Sequence, residues 1–282
     1  MKKIQLLLTF ITILTISFSS CKEEKEISLG VDLANAGVLS CERASEVFSS
    51  AAELDNFYLY NKEYLKLLPG SDSLKSMPEI PSPENEIELM IQATDYLCKV
   101  YREYNLLSDK AFNLKIQDFS DRIIQTSQIL KKIDKDSTDK YTELIASIET
   151  GKYDSEFVFF ALIELYNKNL EKNIIEFTKF SDNVYGSYKE ALETIPAESF
   201  DAVKVANMIT EPVKGDELIT KVYKLQLIEK QFQKNEILKK RLSEVSKSFD
   251  ILESAHGELT KNNSSHNEVQ KYIAEINKIN KQ

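Results

Sequence analysis

The sequence predicts an all-α protein, an extended multi-helix bundle with long coiled-coil-like helices. Three observations carry that expectation. Only seven glycines occur in 282 residues, far below the usual share of about 7%, and helix interiors are where glycine is most costly. Apolar residues recur three and four apart over long stretches, as one buried stripe of a helix requires. Nothing alternates with period two for more than a few residues, so no strand is expected.

Taken in order, the chain opens on Met1-Lys2-Lys3, then an apolar run from Ile4 to Phe18, then Ser19-Ser20-Cys21. A short charged head, a hydrophobic segment too short for a working span and a small-residue cleavage point make a secretion signal. One that ends on cysteine resembles the type II signal of bacterial lipoproteins. The resemblance implies that residues 1–20 are cut away and that Cys21 becomes the lipidated first residue. Phe18 and Ser20 stand where that class usually has Leu and Gly or Ala. The run Lys22-Glu23-Glu24-Lys25-Glu26 follows directly. It resembles the surface-export signal of lipoproteins in one large phylum of Gram-negative bacteria, which implies display on the outer face of the outer membrane through Lys22, Glu23 and Glu24. A charged pentamer also serves as a plain solvated tether.

Residues 27–40 contain Gly30 and Gly37 and show no clear period, so the charged tether is expected to run over 21–40 and the helical domain over 41–282. From about Ser40 a stripe forms through Val47, Ala51, Leu54, Tyr64 and Leu68 and should stop at Pro69-Gly70. Residues 69–83 hold four of the six prolines and read as a loop. Ser82 then suits a cap and Pro83 the first turn of the next helix. That helix carries Ile87, Met90, Leu97, Cys98, Tyr101 and Tyr104, and a continuation runs through Phe119, Ile123 and Leu130. A short helix over Asp139–Thr150 ends at Gly151. A long one follows from Asp154-Ser155 to Pro196, and its opening, Phe157 to Ile163, is apolar all round and should be deeply buried. A short helix is expected over Ala197–Ile209. The last long helix has the clearest pattern, Leu238, Leu242, Val245, Phe249, Leu252, His256 and Leu259, with Leu218, Val222, Leu225 and Phe232 upstream on a shifted seam. Val269, Ile273, Ile276 and Ile279 mark a final helix.

Charge narrows the partners. Loss of residues 1–20 removes two lysines and no acids, taking the net charge from −9 to −11. Phosphate backbones would be repelled, so nucleic acid is not expected as a partner. The membrane is expected to be met through the N-terminal lipid alone.

Chemistry is harder to find. His256 and His266 match no zinc spacing and have no companion cluster, so no metal and no catalytic set is expected. His256, on the apolar seam, reads as a core histidine. No glycine-rich phosphate loop or nucleophile elbow occurs, and no cofactor is implied. Tyr58 and Tyr64 on the first helix would face Tyr101 and Tyr104 on the second, either as a core edge or as a ligand groove. Asp72-Ser73-Leu74 and Asp136-Ser137-Thr138 resemble the three-residue O-glycosylation motif of the same bacterial phylum, which implies Ser73 and Ser137 as acceptors.

Cys41 and Cys98 remain. A simple hairpin turning between Leu68 and Pro83 puts Cys41 27 residues before the turn and Cys98 15 after it. That stagger of about 18 Å is beyond a disulfide, so two buried free thiols are expected unless the connecting loop is offset. The functional expectation is a non-catalytic, lipid-anchored module binding a protein or small molecule. A membrane-active helical protein of the pore-forming kind comes second, with Phe157–Ile163 as its insertion element, and an enzyme third.

Overall fold

A computed structural model describes residues 28–54, 82–107, 116–135, 138–150, 155–194, 217–261 and 266–281. Among them the chain is all-α, with seven helices and no strand. These are α1 (28–54), α2 (Glu84–Leu107), α3 (Ile116–Ile133), α4 (Thr138–Glu149), α5 (Ser155–Thr194), α6 (Glu217–Leu259) and α7 (His266–Asn280). The boundaries follow local signals. Ser82 Oγ accepts the Glu84 N–H at 3.1 Å, capping α2, with Pro83 at the position where a missing N–H costs least. The Thr138 hydroxyl donates to the Lys135 carbonyl at 2.8 Å where α4 begins. Glu84 and Glu86 in the first turn of α2, and Lys131 and Lys132 in the last turn of α3, complement the helix dipoles.

The beginning of α1 corrects the sequence reading. The helix is under way at residue 28 and turns one face inward through Leu29, Leu33, Ala34, Ala36 and Ser40, while Ser28, Asp32, Asn35 and Leu39 are exposed. Residues 28–40 are therefore an amphipathic stretch of α1 with one buried face. Gly37 misled the reading because it is a packing residue. A Cβ placed there would lie 2.2–2.5 Å from the Tyr101 ring, so glycine is what lets that ring lie against the α1 backbone. The expected helix over Ala197–Ile209 lies outside the described residues.

The described residues fall into two compact units. The first gathers residues from Met1–Ala44, Gln92–Asn169 and Val245–Gln282, the second from Ser45–Ile91 and Leu170–Glu244. In the first, aromatic rings make the centre. Phe159 is wholly buried and its ring centroid lies 4.9 Å from Tyr101, 5.1 Å from Tyr104, 5.7 Å from Phe119 and 4.6 Å from His256. Edge and tilted contacts of this kind add to the area that the rings bury. Val158, Leu162 and Ile163 share that burial, while Phe160 and Ala161 are only half-buried, so the apolar opening of α5 has one partly open face.

Buried polar groups tie the helices of this unit in register. Ser40 and Ser248 share a 2.6 Å hydrogen bond, and Asn280 Nδ2 donates to the same Ser40 hydroxyl at 3.0 Å. Thr94 and Tyr166 pair at 2.6 Å between α2 and α5. Asn169 Nδ2 reaches the Tyr141 hydroxyl at 2.5 Å, joining α5 to α4, where burial pushes the Tyr141 phenol up to about 12. Asn167 Nδ2 donates to Asp250 at 2.9 Å and to Glu253 at 2.6 Å. Since a buried polar group left unpaired costs about 1–3 kcal/mol, each pair penalises a slipped helix more strongly than apolar contact alone.

The seam expected on α6 is buried from Leu238 through Leu242, Val245, Phe249 and Leu252 to His256, while Leu259 is half-buried. The side chains of Leu218, Val222, Leu225 and Phe232 lie outside the described residues. In the second unit Val47, Phe48, Ala51, Ile87, Met90, Phe177 and Leu238 are buried likewise. There the Ser181 hydroxyl donates to Asn235, and Lys239 pairs with Asp182 and Glu236.

Candidate functional site

Cys21, Lys22, Glu23, Glu24, Ser73, Ser137, Tyr58 and Tyr64 lie outside the described residues. Of the four tyrosines expected to face one another, Tyr101 and Tyr104 are among the described residues. Tyr101 is wholly buried and Tyr104 nearly so, both packed against Phe159 and His256. The Tyr101 hydroxyl ends inside that core, 3.2 Å from His256 Nε2.

His256 sits in that core. Its Nε2 lies 3.2 Å from the Tyr101 hydroxyl, and its Nδ1 is buried with no partner. Burial alone drives its basicity down to about 3. The neutral tautomer that donates from Nε2 to Tyr101 leaves a bare lone pair at Nδ1, whereas the other would leave an orphaned N–H, the rarer and costlier arrangement. His256 is thus a packed member of the aromatic core. Among the described residues, no group of three or more His, Cys, Asp or Glu side chains could hold a metal ion.

Among the described residues an open groove of about 420 Å³ lies in the second unit. Ser50, Glu53 and Leu54 from the end of α1 form one wall; Lys234, Ile237, Leu238 and Arg241 from α6 form the other. The helix period explains the lining. On α1, positions 50, 53 and 54 share one face, and on α6 positions 234, 237, 238 and 241 do the same. Leu54 and Leu238 are buried and make an apolar floor, and Ile237 stands 55% exposed above it. Arg241 reaches Glu46 at 3.8 Å with much of both side chains open to water, a contact that adds little stability and leaves the guanidinium available to an anion. The Ser50 hydroxyl donates into its own helix, to the Glu46 carbonyl at 3.0 Å, and can accept a hydrogen bond from a visitor.

No histidine or cysteine is among the residues that line this groove. What it offers is an apolar floor beside two cations on α6 and the Glu53 carboxylate on α1. The sequence reading missed it. One signal was legible: Ile237 lies beside the seam residue Leu238 but off the four-three run, so it adds an apolar side chain to the edge of the buried stripe. No protein-family model matches the chain, and neither a curated protein nor a solved structure matches it.

Proposed function

We propose that this chain is a lipid-anchored envelope protein, held at the outer membrane through Cys21, that binds an amphipathic organic anion without transforming it. The groove of the second unit is the observation that carries the reading. Its floor of Leu54 and Leu238 with the exposed Ile237 suits an apolar body, and Lys234 and Arg241, which outnumber the one carboxylate of the lining, Glu53, suit a carboxylate head. A pocket of a few hundred Å³ with a few convergent polar groups has the dimensions of a small-molecule site. Titrating dodecanoate into the protein by calorimetry tests this. Replacing Lys234 and Arg241 together with alanine should weaken binding roughly ten-fold or more, since a charge-assisted hydrogen bond is worth about 1.5–3 kcal/mol. Equal affinity in the double variant would contradict the groove as the site.

The anchor rests on the sequence around Cys21. Among the described residues, no helix is long and apolar enough to cross a membrane. Cys21→Ala should therefore abolish labelling by a fatty-acid analogue and release the protein from the membrane fraction, because the lipid would be the hydrophobic anchor. Equal label on the variant would sink the acylation reading. Replacing Lys22, Glu23 and Glu24 with alanine should keep the label and lose accessibility to protease added to whole cells. Unchanged accessibility would leave those residues as a plain tether. The membrane-active alternative gains nothing from the fold, since Val158, Phe159, Leu162 and Ile163 of its insertion element are buried in the first unit.

A further inference from the structure

Cys41 and Cys98 are free thiols in the structure, and both are buried, Cys41 entirely. Their relative placement differs from the simple hairpin that kept them a full 18 Å apart. Asn105 Nδ2 donates to Asn35 Oδ1 at 2.9 Å, and the Tyr101 ring lies against Gly37. The numbers fall along α2 as they rise along α1, so the two helices run antiparallel. One turn onward from the Gly37–Tyr101 contact, Cys41 on α1 comes level with Cys98 on α2. The Arg102–Glu42 pair at 3.0 Å joins the same two turns. Both cysteines also lie on the facing stripes, four residues from Gly37 and three from Tyr101.

The α1 stripe is made of small residues. Ala34, Gly37, Cys41 and Ala44 follow at spacings of three and four, and all four are buried. Small side chains on one helix let the neighbouring backbone come close, which a disulfide needs, with Cα atoms about 4.4–6.8 Å apart. From this register we infer that Cys41 and Cys98 are the two halves of an intramolecular disulfide that staples α1 to α2 within the first unit.

The bond is made at the expense of a disulfide donor, either a thiol oxidoreductase of an oxidising compartment or oxidised glutathione in solution. The Cys98 thiolate attacks one sulfur of the donor disulfide, breaking the donor S–S bond and releasing its other sulfur as thiolate. The Cys41 thiolate then attacks the Cys98 sulfur and displaces the donor's first sulfur. Two electrons pass to the donor, and the two protons lost by the cysteines end on its thiols. Burial pushes both thiols up, Cys41 further than Cys98, with Cys98 itself the next contributor to the rise at Cys41. Exchange is therefore slow once the helices have closed, and the pairing belongs to folding.

The experiment uses the full chain with Cys21→Ala, which carries no third thiol. It is refolded in a glutathione redox buffer, alkylated in denaturant and mapped by mass spectrometry. The expected product is monomeric, lighter by two hydrogens and free of alkylatable thiol, with one peptide pair joining Cys41 to Cys98. Its melting midpoint should fall by roughly 5 °C or more on reduction, and adding Cys98→Ser should remove that response. Two alkylatable thiols at every glutathione ratio, or cross-links between chains only, would overturn the staple. The physiological pairing rests on the proposed envelope location, and protein isolated from envelopes separates the two readings. Pairing in the buffer but free thiols in the envelope would leave the geometry standing and count against the oxidising compartment.

Discussion

Lowering the pH from 6.5 to about 3 should cost the wild-type chain on the order of 4–5 kcal/mol more stability than it costs the His256→Gln variant. The reason is local. His256 is wholly buried, its Nε2 meets only the Tyr101 hydroxyl, and nothing accepts a proton from Nδ1. A proton added at Nδ1 would bring a charge with no partner into an aromatic cluster, and burial accordingly holds the imidazole down to about 3 against an ordinary 6.5. The unfolded chain takes up that proton below 6.5, and the folded chain refuses it until about 3. Stability is thus unaffected by this group above 6.5, falls as the pH drops through the window, and levels off below it. Each pH unit inside the window is worth about 1.4 kcal/mol. Carboxylate titration acts on both proteins, so the difference between their urea midpoints across pH isolates the histidine. Parallel curves for the two would refute the assignment.

Phe249→Ala should cost about 3–5 kcal/mol, the largest loss expected from a single truncation on the α6 seam. Phe249 is wholly buried, and its ring lies 4.8 Å from that of Tyr166, which is itself buried and bonded to Thr94. Removing the ring leaves a void that Tyr166 cannot fill without giving up its hydrogen bond. Leu252→Ala, at an equally buried position, should cost about 2–5 kcal/mol. Leu39 is 44% exposed on α1, and Leu39→Ala should stay within about 0.5 kcal/mol of the wild type. Denaturant midpoints of the three variants order them directly. At neutral pH His256→Gln should fall well below Phe249→Ala, since glutamine retains a partner for Tyr101 and buries no charge. A loss as small for Phe249→Ala as for Leu39→Ala would mean that the seam does not pack as described.

The helices were legible because their signals are local. Ser82-Pro83 announces α2, Gly151 and Pro196 bracket α5, and the four-three run from Leu238 to His256 identifies the buried face of α6. What failed depends on partners distant in sequence. Gly30 and Gly37 read as loop residues because their neighbours show no period, yet Gly37 is set by a tyrosine ring on another helix. The α1–α2 register was off because prolines locate a connection without fixing how far the helices slide on either side of it. The tyrosine stripe could not declare which rings enter the core; Tyr101 does so because Gly37 leaves room for it, and Tyr104 packs beside it on Phe159. The groove was invisible for a similar reason, since it is assembled from residues 50–54 and 234–241, whose periodicity describes each helix but not its neighbour. The proposed address at Cys21 is the reverse case, argued wholly from contiguous residues.

The intact mass of the protein isolated from envelopes tests the central claim, that a lipid-anchored module is what this sequence encodes. The account predicts a mature chain that begins at Cys21, lacks residues 1–20 and carries the added mass of a diacylglyceryl group and its acyl chains on that residue. A chain that retains residues 1–20, or one cut elsewhere and bearing no lipid, would contradict it.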